Sequence, residues 1–542
     1  MIKSLPEALV PLLKKPVIIP QTYDGPNGMI PDGKRNDTLN REAGRLRHYG
    51  WDEPEIYEAI TALNNNRCDP PLLEAEVLAI AHGITRYEPT RTLFSEAPLD
   101  DLHLTEWGNA QRLVAEYGAG MLYCKPQKVW YCWRGTHWEE DKTGEIQRLT
   151  KNTVQAIYGE ASEIDDKDER KKRVKWALSS ESDSRMKATI SLAQSEPGIQ
   201  IMPDLFDGDP WLLNTGSGVI DLKTGELQRR QRQDYMTKLV PTYYDQSEEC
   251  PLWEQFLWDI TDGDEQLIAF LKRAIGYSLT GITSEQVIFV LYGTGSNGKS
   301  TFINTVRKML GEYACHTPTE TLLMKRNDGI PNDLARLRGA RLVTALEAEE
   351  GRRLAESLVK QMTGDDPITA RYLYQELFEF EPQFKVWLGT NHKPSIRGTD
   401  HAIWRRIRLI PFTVTIQDVD QDKDLAEKMK KEWPGILAWA VEGCLEWQRV
   451  GLSAPSTVLE ATSKYRKEMD EIATFIDETC VADPEEEVQA SVLYKAYNTW
   501  ADVNGYKPVN STVFGRSLVE RGYVKRKAAR VYYSGLKLQE TL

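Results

Sequence analysis

A glycine-rich loop that follows an apolar run has the clearest chemistry in this sequence. Residues 293–301 read Gly-Thr-Gly-Ser-Asn-Gly-Lys-Ser-Thr, directly after the apolar residues 287–292, which are typical of a buried parallel strand. Glycines let backbone N–H groups approach phosphates, Lys299 supplies positive charge, and Ser300 is a ligand type for Mg²⁺. A helix starting near Lys299 would direct its positive end at the anion. The sequence therefore predicts a site for ATP and Mg²⁺, formed by Gly293, Thr294, Gly295, Ser296, Asn297, Gly298, Lys299, Ser300 and Thr301.

Two further predicted strands end in polar side chains. Residues 341–346 lead to Glu347, with Glu349 two positions beyond, and residues 384–391 end in Asn391. A carboxylate after the first strand would hold Mg²⁺ and polarise the attacking water, and Glu347 is the candidate for both tasks. Glu349 is the alternative for activating water, and a solvated start of a helix is the alternative interpretation of both. Asn391 comes at the sheet edge where ligands bind, within reach of a γ-phosphate and the water.

A pair of arginines precedes a third apolar run. Arg405 and Arg406 stand just before residues 407–412. An arginine that reaches the γ-phosphate of a neighbouring subunit stabilises transition-state charge in ring ATPases. A surface salt bridge is the alternative interpretation for either residue.

The order of these features resembles that of superfamily 3 helicases. More narrowly, residues 364–374, 390–394 and 398–406 resemble the helicase half of phage, plasmid and poxvirus primase-helicases. The resemblance implies an AAA+ motor, built on a parallel sheet with flanking helices. It also implies assembly as a homo-hexameric ring and translocation on single-stranded DNA.

In this family, the segment between the acidic strand and the Asn-tipped strand carries a hairpin that projects into the ring channel. Here that segment is 367–382, and its alternating pattern suits a strand. The candidate DNA contacts are Lys360 and Arg371 to the backbone and Tyr372 to the bases. Tyrosines that pack within the fold are the alternative.

Length and composition favour a multidomain enzyme without a membrane segment. The chain has 542 residues, 41% of them hydrophobic, which predicts three to four domains. No run approaches the roughly 20 apolar residues of a membrane span, so we expect a cytoplasmic protein, in a bacterial host cell. The net charge of −13 argues against a chain coated with nucleic acid and suits DNA contacts confined to a channel and a basic appendage.

The predicted fold is multidomain α/β, with a P-loop ATPase core between smaller domains. Its first domain resembles the small helical domain that follows the catalytic primase domain in phage primase-polymerases, and a generic helical adaptor is the alternative. A separate primase or polymerase is therefore the expected partner. The predicted domains are a small helical primase-associated domain (1–92), an α+β domain (104–250), a helical collar (251–280), the AAA+ core (281–415), a helical lid (416–470) and a winged helix (471–542).

The C-terminal region has the element order of a winged helix. A helix at 491–503, a turn at 504–505, a helix at 511–521 and a two-stranded tail follow one another. From Lys507 onward, eight lysines and arginines oppose two glutamates, a local charge of +6. The pattern favours binding of duplex or forked DNA by Lys525, Arg526, Lys527 and Arg530.

Together these features predict an ATP-dependent DNA helicase for replication of a phage, plasmid or mobile element. The alternative is a DNA-binding initiator or loader that uses ATP only as an assembly switch.

Overall fold

A computed structural model describes residues 30–31, 35–48, 53–85, 102–324, 332–347, 352–364, 366–371, 377–396 and 401–539. These residues fall into two compact units. The first comprises Met1–Gly208 with Gln231–Thr237, and the second comprises Asp209–Arg230 with Lys238–Leu542.

The first unit is a set of short helices with one small antiparallel sheet. Its elements are β1 (Ile30–Pro31), α1 (Arg35–His48), α2 (Glu53–Arg67), β2 (Cys68–Asp69), α3 (Glu74–Thr85), α4 (Glu106–Tyr117), β3 (Met121–Cys124), β4 (Val129–Trp133), β5 (Trp138–Glu140), α5 (Glu145–Ser162), α6 (Lys167–Ser180) and α7 (Asp183–Ala193). Helices α1 to α3 enclose an apolar core that includes Leu39, Ile56 and Val77. In the β3–β4–β5 sheet, Trp138 is buried and Trp133 packs edge-on against it.

The second unit contains the parallel sheet and the C-terminal region. Its elements are β6 (Leu212–Asn214), β7 (Val219–Asp221), β8 (Glu226–Gln228), α8 (Pro251–Ile260), α9 (Glu265–Leu279), β9 (Ile288–Tyr292), α10 (Lys299–Leu310), β10 (Ala314–His316), α11 (Asn332–Ala335), β11 (Leu342–Leu346), α12 (Glu356–Met362), β12 (Ile368–Arg371), β13 (Leu377–Phe380), β14 (Lys385–Thr390), α13 (His401–Trp404), β15 (Ile407–Pro411), α14 (Leu425–Lys431), α15 (Trp433–Val450), α16 (Ser456–Glu468), α17 (Glu471–Thr479), β16 (Cys480–Gln489), α18 (Ala490–Val503), α19 (Ser511–Glu520), β17 (Val524–Lys527) and β18 (Val531–Leu538).

Five strands form one parallel sheet in the order β10–β11–β14–β9–β15. The register places Leu388 of β14 between Ala345 of β11 and Val290 of β9. Because the strands are parallel, the loops after β9, β11 and β14 all start at the same sheet edge. The predicted α/β fold with a parallel sheet is therefore confirmed.

Both faces of this sheet are buried, which explains the uninterrupted apolar runs of its strands. Phe289 and Leu291 of β9 belong to one core, shared with α8, α9, α10 and α15. Ile288 and Val290 belong to a second core, which also contains Val359 of α12. Helices α8 and α9 of the predicted collar thus share the first core with α14 and α15 of the predicted lid, whereas α16 places Tyr465 in the second core.

The described part of the second unit also has three smaller sheets, and the first of them is antiparallel β6–β7–β8. Strands β12 and β13 form an antiparallel hairpin, as the alternating pattern predicts, with Ile368 opposite Phe380. The C-terminal sheet has the order β16–β18–β17. Its strand β16 is absent from the sequence-based prediction, which contains only the helices and the two-stranded tail.

Candidate functional site

The glycine-rich loop at 293–298 connects β9 to α10 in a conformation that needs its glycines. Gly295 has a φ of 114° and Gly298 a φ of 78°, both in the region that side chains disfavour. A Cβ at Gly298 would also lie 2.5 Å from Cγ2 of Ile260 on α8. Helix α10 begins at Lys299, so the backbone N–H groups of its first turn face the loop. Ser300 is exposed on that turn.

The ammonium group of Lys299 donates to three oxygens from different parts of the site. Its Nζ lies 2.8 Å from the carbonyl oxygen of Gly293, 2.8 Å from Oδ1 of Asn297 and 3.0 Å from Oδ1 of Asn391. The side chain is buried, and this burial lowers the pKa of Lys299 below its usual value. Among the described residues, no carboxylate contributes to this cradle, so the positive charge is available to an anion.

Glu347 follows β11 at the same sheet edge, with its side chain exposed. Its φ of 68° is left-handed, which is uncommon for a residue other than glycine. Two hydrogen bonds hold this backbone: its N–H donates to the carbonyl oxygen of Gly389 at 2.9 Å, and its carbonyl oxygen accepts from Oγ1 of Thr319 at 3.2 Å. Glu349 lies outside the described residues. Sequence reasoning missed Thr319, which no motif marks.

Asn391 follows β14, between the strands that lead to the loop and to Glu347. Thr390 pairs with Tyr292, the last residue of β9, and Gly389 pairs with Leu346 of β11. The structure therefore places Asn391 in contact with Lys299, while Glu347 follows the neighbouring strand β11 at the same sheet edge. A cation, an amide and a carboxylate at one edge can bind a phosphate chain and orient a water molecule.

Asn297 has a second contact that the sequence did not reveal. Its Nδ2 donates to the carbonyl oxygen of Phe412, just after β15, at 3.3 Å. Two backbone bonds lie nearby: Phe412 N–H to the carbonyl oxygen of Tyr292 and Ile416 N–H to that of Ser296, both at 2.7 Å. The asparagine within the loop was the available signal, but its partner is a backbone atom more than a hundred positions away.

The two arginines have different environments. Arg406 is 8% exposed, and its Nε donates to Oγ1 of Thr363 at 3.1 Å while Nη1 donates to the carbonyl oxygen of Ala402 at 2.6 Å. Arg405 is exposed, and its Nη2 donates to Oε1 of Gln286 at 2.6 Å. Both precede β15, which is parallel to β9, so they lie at the amino edge of the sheet, opposite the phosphate loop.

The candidate DNA contacts of the hairpin are only partly described. Arg371 is exposed at the end of β12, and Leu377 is exposed at the start of β13. Tyr372 lies outside the described residues. Lys360 is half-buried and belongs to helix α12, whereas Arg371 belongs to strand β12.

In the C-terminal sheet, the candidate basic residues lie on β17 and in the turn after it, and some of them contact β16. Lys525 and Lys527 are exposed on β17. Nη2 of Arg526 lies 2.6 Å from Oε2 of Glu487, and Nη1 of Arg530 donates to Oε1 of Gln489 at 3.1 Å. Both partners belong to β16, whose acidic residues therefore reduce the local positive charge predicted from the tail alone.

Four family descriptions match successive parts of the chain. They are "Primase C terminal 1 (PriCT-1)" over residues 27–90, "D5 N terminal like" over 110–262, "Family of unknown function (DUF5906)" over 291–406 and "Poxvirus D5 protein-like" over 467–541. Among the described residues, no helix is long and apolar enough to cross a bilayer.

Similar proteins occur in large DNA viruses. The chain is 30% identical to "Putative helicase 022R" of Frog virus 3 (isolate Goorha), over 44% of this chain and 27% of that protein. It is 27% identical to "Putative helicase L207/L206" of Acanthamoeba polyphaga mimivirus, over 55% and 34%. It is 24% identical to "Putative primase C962R" of African swine fever virus, over 55% and 34%. The chain spans about a third of the length of these curated relatives.

A solved structure with a weaker similarity is the apo C-terminal region (305–718) of NrS-1. It has 10% identity and a TM-score of 0.43, and the match covers 79% of this chain and 99% of that one. The sequence matches are stronger: parts of the chain match the PriCT-1, D5 N-terminal-like and poxvirus D5-like families, and the similar viral proteins are named "Putative helicase" or "Putative primase".

Proposed function

We propose that this protein is an ATP-dependent DNA helicase, a hexameric ring that translocates on single-stranded DNA during replication of a viral or mobile-element genome. The observation that carries the proposal is the contact of Lys299 with both the phosphate loop and Asn391. The contact supports an AAA+ core, because a phosphate bound at Lys299 would also lie close to Asn391, the residue that follows the second strand, β14.

The chemistry assigned to this edge is hydrolysis of the γ-phosphate. Lys299 and the first turn of α10 would bind the β- and γ-phosphates, and Ser300 and Glu347 would hold Mg²⁺, which offsets their negative charge. The exposed oxygens of these two side chains fit a hard cation. Glu347 would accept a proton from the attacking water and Asn391 would orient that water. The left-handed backbone of Glu347, held by two hydrogen bonds, favours it over Glu349, because such strain concentrates at functional sites.

Arg405 supports a ring in which neighbouring subunits share each site. Five strand residues separate the two edges of the sheet at β9, or roughly 17 Å at about 3.3 Å per residue. Arg405 therefore cannot reach the phosphates of its own subunit and would reach those of the next. Arg406 is buried against groups of its own chain, whereas the side chain of Arg405 is exposed, so we assign the trans-acting role to Arg405 alone.

Two surfaces would contact DNA. The β12–β13 hairpin would enter the channel, with Arg371 against the backbone of the single strand and Tyr372 against its bases. The C-terminal helices and sheet have the element order of a winged helix, and exposed Lys525 and Lys527 would contact the duplex at the fork. A separate primase or polymerase would complete the replication machinery.

Phosphate release in the presence and absence of single-stranded DNA tests the motor. We expect hydrolysis of ATP that requires Mg²⁺ and increases when a DNA strand occupies the channel. Hydrolysis that DNA does not change would contradict a translocating motor, and the absence of any hydrolysis would contradict the nucleotide site.

A further inference from the structure

The side chain of Asn297 joins the phosphate loop to the end of β15. It is 3% exposed, and both ends of its amide have partners. Oδ1 accepts from Lys299 at 2.8 Å, and Nδ2 donates to the carbonyl oxygen of Phe412 at 3.3 Å. One planar group therefore connects the cation of the nucleotide site to the residue that follows β15.

The two ends of β15 lie next to two different candidate groups, the exposed arginine and the glycine-rich loop. Arg405 precedes the strand at the amino edge of the sheet, and Phe412 follows it at the carboxyl edge. The strand lies at the border of the sheet, and β9 is its one strand partner within the described part of the chain. On its other edge, Leu409 N–H donates to Oγ1 of Thr462 on α16 at 3.0 Å, so contacts at the ends of β15 add to one strand ladder and one side-chain bond.

Three hydrogen bonds join β9 and the glycine-rich loop to the segment after β15. Phe412 N–H donates to the carbonyl oxygen of Tyr292, which ends β9, Ile416 N–H donates to that of Ser296 in the loop, and Asn297 supplies the third bond. Of these three, Asn297 alone uses a side chain, and it alone also touches Lys299. When Lys299 donates to a phosphate, its hydrogen bond to Oδ1 of Asn297 lengthens. The Asn297 side chain then shifts, which changes its bond to the carbonyl oxygen of Phe412.

We infer that Asn297 is a positioning residue that couples the phosphate loop of one subunit to the arginine that the same subunit presents to its neighbour. The inference rests on the proposed function, since it requires Arg405 to act across a subunit boundary. It gives each ring position a direct route by which nucleotide contacts in one site adjust hydrolysis in the next.

The test uses mixed rings in which the altered subunit has no active site of its own. Wild-type subunits are mixed with Lys299→Ala subunits, or with subunits that carry Lys299→Ala and Asn297→Asp together. The aspartate keeps the shape of the side chain but has no N–H for Phe412. Both altered subunits lack Lys299 and therefore have no active site of their own. An effect of the second substitution on the turnover of wild-type sites must then cross the subunit boundary.

We expect the turnover of wild-type sites beside the double variant to fall roughly threefold to tenfold below that beside Lys299→Ala alone, the range that one hydrogen bond provides. The KM of those sites for ATP should not change, because their own loop is intact. The matched control is a subunit with Lys299→Ala and Val419→Ser, since Val419 follows Phe412 and Ile416 in the chain and is 91% exposed. This control should behave as Lys299→Ala alone.

Two results would overturn the inference. One is identical turnover beside the double variant and beside the control, with equal incorporation measured by native mass spectrometry. The other is failure of both Asn297→Asp and Asn297→Ala subunits to enter rings, which would make the amide a requirement of folding. A failure of the proposed function would give a different result. Wild-type sites would then have the same turnover beside subunits that carry both Lys299→Ala and Arg405→Ala as beside subunits that carry Lys299→Ala alone.

Discussion

The amide oxygen of Asn391 accepts a hydrogen bond from the ammonium group of Lys299 at 3.0 Å. These residues are 92 positions apart: Lys299 begins α10, after the loop that follows β9, and Asn391 follows β14, which pairs with β9 in the sheet. The contact makes Lys299 the centre of the proposed nucleotide site.

Lys299→Ala should abolish ATP hydrolysis, because the bound triphosphate loses its main positive partner. The measurement is phosphate release, with a thermal melt to show that the variant folds. Lys308→Ala is a suitable control, since it removes an exposed lysine at the other end of α10. Hydrolysis by Lys299→Ala within about twofold of wild type would contradict the assignment.

Glu347→Gln should retain nucleotide binding but block hydrolysis, because the amide cannot take a proton from water. We expect this variant to trap the ring on DNA in the presence of ATP, which a filter-binding assay would detect. Thr319→Val removes the hydroxyl that bonds to the Glu347 carbonyl and should reduce turnover less. If Glu349→Gln blocks hydrolysis and Glu347→Gln does not, the assignment of the two carboxylates is wrong.

The two arginine variants should fail in different ways. Arg405→Ala should fold normally and bind ATP, but its turnover should fall by roughly 10³-fold or more, the scale of arginine fingers. Arg406→Ala should instead destabilise the fold by about 2–3 kcal/mol, because buried charge-assisted hydrogen bonds are lost. Steady-state kinetics and urea unfolding separate these outcomes.

Mixing Arg405→Ala subunits with Lys299→Ala subunits should restore some hydrolysis. Some boundaries in mixed rings would combine an intact loop with an intact arginine. No recovery at any mixing ratio, despite proven subunit exchange, would mean that Arg405 acts within its own chain.

Replacing Lys525, Arg526, Lys527 and Arg530 together by Ser should weaken fork binding and flatten its dependence on salt. Each lost phosphate contact reduces the slope of log K against log salt by about 0.9. The contacts of Arg526 and Arg530 with β16 predict that Lys525 and Lys527 account for most of this change. Replacing four lysines of α6, at positions 167, 171, 172 and 175, is a control of equal charge. Superimposable salt titrations of wild type and the β17 variant would contradict a DNA-binding role.

The sequence contained enough information to predict the sheet and the strand-end residues. The strands β9, β11 and β14 are buried on both faces, so each appears as a short apolar run, and Asn391 follows directly after one of them. The hairpin β12–β13 was predictable because Ile368 and Ala370 face the core while Thr369 and Arg371 are exposed.

Other features depend on contacts between distant residues. Adjacent Arg405 and Arg406 look equivalent in the sequence, and only the packing of Arg406 on Thr363 distinguishes them. Strand β16 contains Asp-Pro-Glu-Glu-Glu, a run with low strand propensity, which pairs with β18 around a bulge between Asp483 and Glu487. The bond from Asn297 to Phe412 ends on a carbonyl oxygen, which carries no sequence signal.

Strand displacement on a forked DNA substrate tests the central proposal most directly. The wild-type protein with ATP and Mg²⁺ should release the displaced strand, while Lys299→Ala and Arg405→Ala should bind the fork without releasing it. Normal ATP hydrolysis by the wild type without any strand displacement would contradict the helicase and would favour an ATP-dependent switch in a DNA-binding initiator.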